Sequence, residues 1–208
     1  MKDSQDEAME GRTNWKRFAV AVGVPTVVAG GLVVALAQGA LAASFTVSGQ
    51  EFHLTASHLH GDGFVQYSGA EVKASGPQAV AVSGIQSATI NDLCQSVVGT
   101  TPLGTFTLRI EAGKTADNKE VSATDLLIGM SDLSGDATFH SINIGQDAST
   151  LNQAGSTAHG AVGGFGQGAT SVDIDNLKQT ATSTSAGTFS LQGMHLQLLG
   201  GNHDCFNG

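Results

Sequence analysis

Nineteen consecutive residues, Phe18 to Leu36, carry no charge, and no other feature of the 208-residue chain constrains its folding as strongly. The run approaches the ~20 apolar residues a helix needs to cross a bilayer, and it exceeds the usual apolar core of a signal peptide. A buried core helix is a poor reading, since no charged residue marks a solvent-facing side. Arg12, Lys16 and Arg17 stand directly before the run. Cations on that flank favour a cytoplasmic N-terminus with the remainder outside.

Residues 1–17 therefore read as a cytoplasmic n-region, 18–43 as a signal peptide or transmembrane anchor, and 44–208 as an exported domain. Pro25, Gly23, Gly30 and Gly31 weaken the helix, and Ala40-Leu41-Ala42 offers the small residues that a signal peptidase requires, which places a cut between Ala42 and Ala43. Length favours retention as an anchor. Both outcomes export the domain, either secreted or held at the outer face of the cytoplasmic membrane.

Beyond residue 43 the composition changes. Five Lys or Arg (Lys73, Arg109, Lys114, Lys119, Lys178) face fourteen Asp or Glu, so the net charge of −9 resides wholly on the exported part. Such a surface repels phosphate backbones and anionic headgroups, which excludes nucleic acid as a partner. Cys94 and Cys205 are the two cysteines of the chain and both lie in this part. In an oxidising compartment they read as one disulfide tying the C-terminus to the middle of the domain. They lack the C-x-x-C spacing and flanking cations that a redox or metal role would use.

Period-two alternation dominates after residue 43. In TFTLRIE (105–111), Phe106, Leu108 and Ile110 alternate with Thr107, Arg109 and Glu111, as in a half-buried strand. EFHLTAS, FVQY, AVAV, DLLIGM, FHSINI, SVDID and TFSLQGMHLQLL are further strand candidates, with Gly193 in the last placed where a bulge would be. HGDG (60–63), SGP (75–77), AGKTADNKE (112–120) and SGD (134–136) read as turns between them.

An Ala-Thr pair followed by Asp/Asn-Leu and Thr-Phe recurs three times, with the middle pairs at Asp92-Leu93, Asp132-Leu133 and Asn176-Leu177. The expected class is all-β, either a β-solenoid-like stack or a curved sheet or sandwich, preceded by one N-terminal hydrophobic helix. The segment 145–170, with seven glycines in twenty-six residues, reads as a mobile loop.

Candidate chemistry is sparse. His58 and His60 are two apart on a strand, so their rings share a face, and Asp62 follows as a possible oxygen ligand for zinc. Asp173, Asp175 and Asn176, with Asp132 and Asp136, are oxygen donors suited to calcium, without the spacing of a calcium-binding hand. No G-x-S-x-G, phosphate loop or dinucleotide fingerprint occurs, so no catalytic residue and no cofactor is assigned.

GRTNWKRF, the apolar run ending LAQGALAASFTVSGQEF, then GFVQY, ATINDLCQSV, DLSGDATF and AGTFSLQGMHLQL with a terminal cysteine follow in order along the chain. In that order they resemble an actinobacterial exported, membrane-associated family of unknown function, some of whose members bear the label cholesterol esterase. The resemblance implies an envelope protein of a Gram-positive actinomycete with a β-rich exterior domain, and it supplies no catalytic residues.

The expected function is a non-catalytic exported envelope protein acting by binding or structure. Its expected partners are a membrane protein or envelope component, and the membrane itself through 18–36. The alternatives are an esterase or lipase with an unconventional site, and a lipid carrier in which Phe106, Leu108, Ile110, Leu196 and Leu198 line a groove.

Overall fold

The structure, a computed structural model, describes residues 50–73, 76–102, 104–153 and 158–207. The expected N-terminal helix, the segment 18–43 and the Ala42–Ala43 cleavage position lie outside the described residues. The described part is all-β. Its strands are β1 (Phe52–Lys73), β2 (Gly76–Asn91), β3 (Leu93–Thr101), β4 (Gly104–Ala112), β5 (Val121–His140), β6 (Asn143–Asp147), β7 (Phe165–Ser185), β8 (Thr188–Leu191) and β9 (His195–Gly200).

They form one antiparallel sheet in the order β6-β7-β5-β2-β1-β3-β4-β9, with β8 added to β5. β7 pairs with β5 on one edge and with β1 on the other, so the long strands coil back around their own core. The sheet is not a closed barrel, since among the described strands β6 and β9 each pair on one side only. Stacked solenoid units are not formed. Strands of twenty or so residues pair antiparallel over long ladders, whereas a solenoid stacks short strands in parallel.

The core is built from the alternation already visible along the chain. Leu54, Leu59 and Phe64 of β1 meet Ile85 and Ile90 of β2, Leu126 and Met130 of β5, and Val172, Ile174 and Leu177 of β7. A smaller cluster joins Val65, Tyr67, Val80 and Val82 to Ala148 and Leu151. Burial of each such side chain contributes roughly 1.5 to 3 kcal/mol.

Two of the expected turns are interior to strands. HGDG lies within β1, where a Cβ on Gly61 would come within 2.8 Å of Ile85, and Gly63 takes φ +65°. SGD lies within β5, where a Cβ on Gly135 would meet Ile174 at 2.8 Å. These glycines admit close packing and a change of phase, not a reversal of the chain. Gly193 departs in the opposite sense. Its φ of +67° closes a turn between β8 and β9, which pair with different strands, so it marks a change of partner and not a bulge.

The recurrence has a structural meaning at a shifted position. Asp92, Asp125 and Asn176 take φ of +51°, +50° and +54°, and each is followed by a leucine no more than 2% exposed: Leu93, Leu126 and Leu177. A left-handed residue takes up one position without a ladder partner, as where pairing passes from Ala56↔Leu177 to His58↔Asp175, so the next side chain turns into the core. Asp and Asn tolerate that conformation better than other side chains because their short polar groups bond locally. Asp92 accepts from the Ser57 hydroxyl at 2.7 Å and from the Thr115 amide at 3.0 Å. The middle member is Asp125-Leu126, not Asp132-Leu133, whose leucine is 38% exposed.

The segment 145–170 is not one long loop. Its first residues complete β6, Ala148–Thr150 form a single 3-10 turn, and Phe165 begins β7. Ala148 and Leu151 are buried against Tyr67 and its neighbours, which gives the segment the apolar anchoring that its glycine content conceals.

β4 carries the most consequential departure. Its alternation is real, and the ladders make its apolar side continuous with buried Leu54, Leu93 and Ala112, but that side runs past the core: Phe106 and Leu108 are each 36% exposed, while Thr107 on the other side is fully buried. The C-terminal tail closes over the Thr107 side. The Thr107 hydroxyl donates to the Gly201 carbonyl at 2.8 Å and accepts from the His203 amide at 3.0 Å.

Candidate functional site

His58 and His60 project from one outer face of β1, as their spacing requires. The antiparallel β1–β7 register then sets Asp175 opposite His58 and Asp173 opposite His60. His58 Nδ1 lies 2.7 Å from Asp175 Oδ1, and His60 Nδ1 lies 2.7 Å from Asp173 Oδ1. β5 brings His140 Nε2 within 3.4 Å of Asp173 Oδ2, while His60 Nε2 is 3.6 Å from Asp62 Oδ1. The face is thus an array of three imidazoles and three carboxylates with Asp173 at its centre.

Each partner shifts the other's proton affinity. The hydrogen bond from His60 holds the Asp173 carboxyl below the ordinary carboxylate range. The hydrogen bond to Asp173 raises the His60 imidazole above its ordinary value, against a smaller opposing effect of burial. The His60 contribution to stability is therefore full below about pH 6.5 and fades as pH rises through the raised value. The Asp173 contribution is full above about pH 4 and fades as pH falls through the lowered value.

Scanning calorimetry across pH 3 to 8 should show Tm highest between those limits, and Asp173→Asn should flatten that maximum. With side chains 31% to 39% exposed, solvent screening holds the effect to no more than about 1 kcal/mol. A wild-type profile already flat from pH 3 to 8 would contradict it.

As a metal centre the array is not preassembled. Its nearest carboxylate oxygens are already engaged by imidazole nitrogens, and among the described residues no group of three or more His, Cys, Asp or Glu is arranged to hold a metal ion. The oxygen donors considered for calcium are dispersed in use. Asp173 and Asp175 face histidines, and Asn176, in its left-handed step, donates to Asp136 at 3.0 Å. The pairing of H-x-H with D-x-D was open to detection, since both repeat at the strand period. The approach of His140 left no local signal.

A second cluster surrounds the C-terminus. Cys94 and Cys205 are joined with Cα atoms 5.9 Å apart. Asp204, 7% exposed, lies 2.5 Å from His53 Nδ1 and accepts from the Ser96 hydroxyl at 3.3 Å and the Phe206 amide at 2.9 Å. Burial acts to raise the Asp204 carboxyl, but the Phe206 amide and His53 outweigh it and hold it below the ordinary range. The Phe206 ring stacks on His53 with centroids 4.1 Å apart.

Serine, aspartate and histidine are therefore together, but in the wrong order for nucleophilic catalysis. A nucleophilic serine must donate to an imidazole that the carboxylate orients from behind, whereas here the carboxylate lies between serine and imidazole. Ser96 is 2% exposed and already accepts from the Cys205 amide at 3.0 Å. The cluster latches the tail to β1 and β3.

Another buried carboxylate, Glu71, accepts from the Ser183 hydroxyl above Gly129, in space that a side chain at 129 would occupy. Two depressions of about 300 and 230 Å³ flank the loop after β4, lined by Asn91, Lys119 and Glu120 in one and by Asp92, Glu111 and Lys114 in the other.

The apolar rows considered as a carrier's groove lie on an open sheet face. Leu108 pairs with Leu198 and Ile110 with Leu196 across β4 and β9, with Leu196 52% and Leu198 69% exposed. Residues 48–206 match the model of a family described as a family of unknown function, DUF6230. No curated protein and no solved structure matches the chain.

Proposed function

The chain belongs to DUF6230, a family of unknown function, and from that premise we propose that it is a non-catalytic, exported protein of the cell envelope that acts by binding or by structure. The observation that carries the reading is the order of the Ser96–Asp204–His53 contacts, which uses these three residue types to fasten the C-terminus and leaves the serine without a base. The apolar segment 18–36 and its cationic flank support export, and the cysteine pair suits an oxidising compartment. The acidic charge turns the protein away from nucleic acid, and the export reading makes a membrane protein or envelope component the partner.

The rival esterase reading makes a distinct demand. Purified full-length protein should show no hydrolysis of short-chain or sterol esters above the background rate. Turnover abolished by a serine-directed inhibitor, and lost in Ser96→Ala, would overturn the proposal.

A further inference from the structure

We propose that the open face of β4 and β9 rests on the lipid surface of the membrane from which the exported domain is tethered. The inference depends on the export reading above and names the partner of that binding protein. Phe106, Leu108, Ile110, Leu196 and Leu198 form two adjacent apolar rows, and their β3 neighbours Gln95, Val97 and Gly99 add no charge. β9 itself, HLQLLG, contains none of the lysines, prolines or acidic residues that ordinarily blunt an edge strand. An exposed apolar patch of this kind marks an interaction surface. The reverse side of the same strands is not available, because the tail covers Thr107 and Ser96.

The course of the chain selects lipid as the occupant. Residues 1–49 precede the described domain and lead into β1 at its Phe52 end. There Leu54, Gln95, Ile110 and Leu196 form one row across β1, β3, β4 and β9. At about 4.8 Å per strand, the apolar rows begin within roughly 15 Å of the entry point. The thirteen residues 37–49 between the apolar run and Gln50 can span up to ~43 Å, so an anchored chain reaches the bilayer with this face.

Tethering also keeps the local lipid concentration high without diffusion. A second copy has no such advantage and brings another net charge of −9. None of the cations after residue 43 lies in these rows, and Arg109 points to the opposite face of β4. Docking therefore acts through apolar insertion at the interface, and anionic headgroups, which repel the acidic domain, weaken it.

The test uses full-length protein reconstituted in phosphatidylcholine vesicles. Both native cysteines are consumed by the disulfide, so an introduced cysteine is the sole site for a spin label. A label at Leu198→Cys should become severalfold less accessible to a water-soluble nickel reagent on vesicles than in detergent-free buffer at low protein concentration. A label at Thr138→Cys, on the exposed histidine face, should remain accessible.

In a second reporter, Phe106→Cys, adding Leu198→Asp should move the docked-to-free ratio by about tenfold or more toward free, from the lost burial of one leucine. Both substituted positions are exposed, so the fold is retained. Equal accessibility at 198 and 138 on vesicles overturns the proposal. So does protection at 198 that needs no lipid and grows with protein concentration, which assigns the face to a second copy. Ester hydrolysis by the same sample would overturn the non-catalytic reading and leave the docking result standing.

Discussion

Replacing both Cys94 and Cys205 with alanine is expected to cost about 4 to 5 kcal/mol of stability, because the bridge closes a loop spanning 111 positions. The chain-entropy argument assigns this to the unfolded state, which regains the freedom that the cross-link removed. The folded state loses little directly, since the tail retains the His53–Asp204 contact, the Ser96 bond to the Cys205 amide and the Phe206 stack. The prediction therefore separates two contributions to the latch. Denaturant unfolding of the oxidised protein against the double variant measures the first, and a difference below about 1 kcal/mol would refute the entropic account.

If the polar latch persists without the bridge, His203 and Phe206 should stay protected in hydrogen exchange under native conditions. The location of the bridge also matters for the docking face. By fastening the tail over Thr107 and Ser96, it buries those sides of β3 and β4 and leaves the apolar sides, which continue the row of Leu54, uncovered beyond the core.

Leu126→Ala should lower stability by about 2 to 5 kcal/mol, whereas Leu133→Ala should cost less than about 1 kcal/mol. Both leucines follow an aspartate in β5, and sequence pattern alone ranks them alike. They differ in what precedes them. Asp125 takes the left-handed conformation and turns Leu126 into the core among Ile85, Ile128 and Met130, where it is 2% exposed. No left-handed step occurs at Asp132, and Leu133 is 38% exposed. Equal losses for the two variants, read from denaturant midpoints at constant m-value, would show that the left-handed step does not decide burial.

Much of the fold was legible because period-two alternation reports strands directly. SVDID, AVAV and TFTLRIE all lie in strands, and AGKTADNKE does connect β4 to β5. Glycine was the unreliable sign. HGDG and SGD carry turn composition, yet both run through the middle of long strands, since a missing side chain serves close packing as well as reversal. The recurrence was detectable as a pattern but not as a conformation, because an Asp-Leu pair does not state whether its aspartate is left-handed. In the candidate site, the shared face of His58 and His60 followed from spacing. Their carboxylate partners, over a hundred residues away, followed from the β1–β7 register.

By itself the sequence determined the class, the acidic charge, the cysteine pair available for bridging and the nineteen uncharged residues that direct the export reading. These depend on composition and on neighbours within a few positions, which the linear chain carries in full. Only the tertiary structure decided which stretches of each strand are covered and by what. Alternation makes the two faces of β4 different, but it does not state that the C-terminal tail, nearly a hundred residues downstream, buries the Thr107 side by meeting its hydroxyl with a carbonyl and an amide. The apolar side lies in register with core residue Leu54, as local hydrophobicity assigns it, yet it runs past the core and stays exposed, which only the strand pairing reveals.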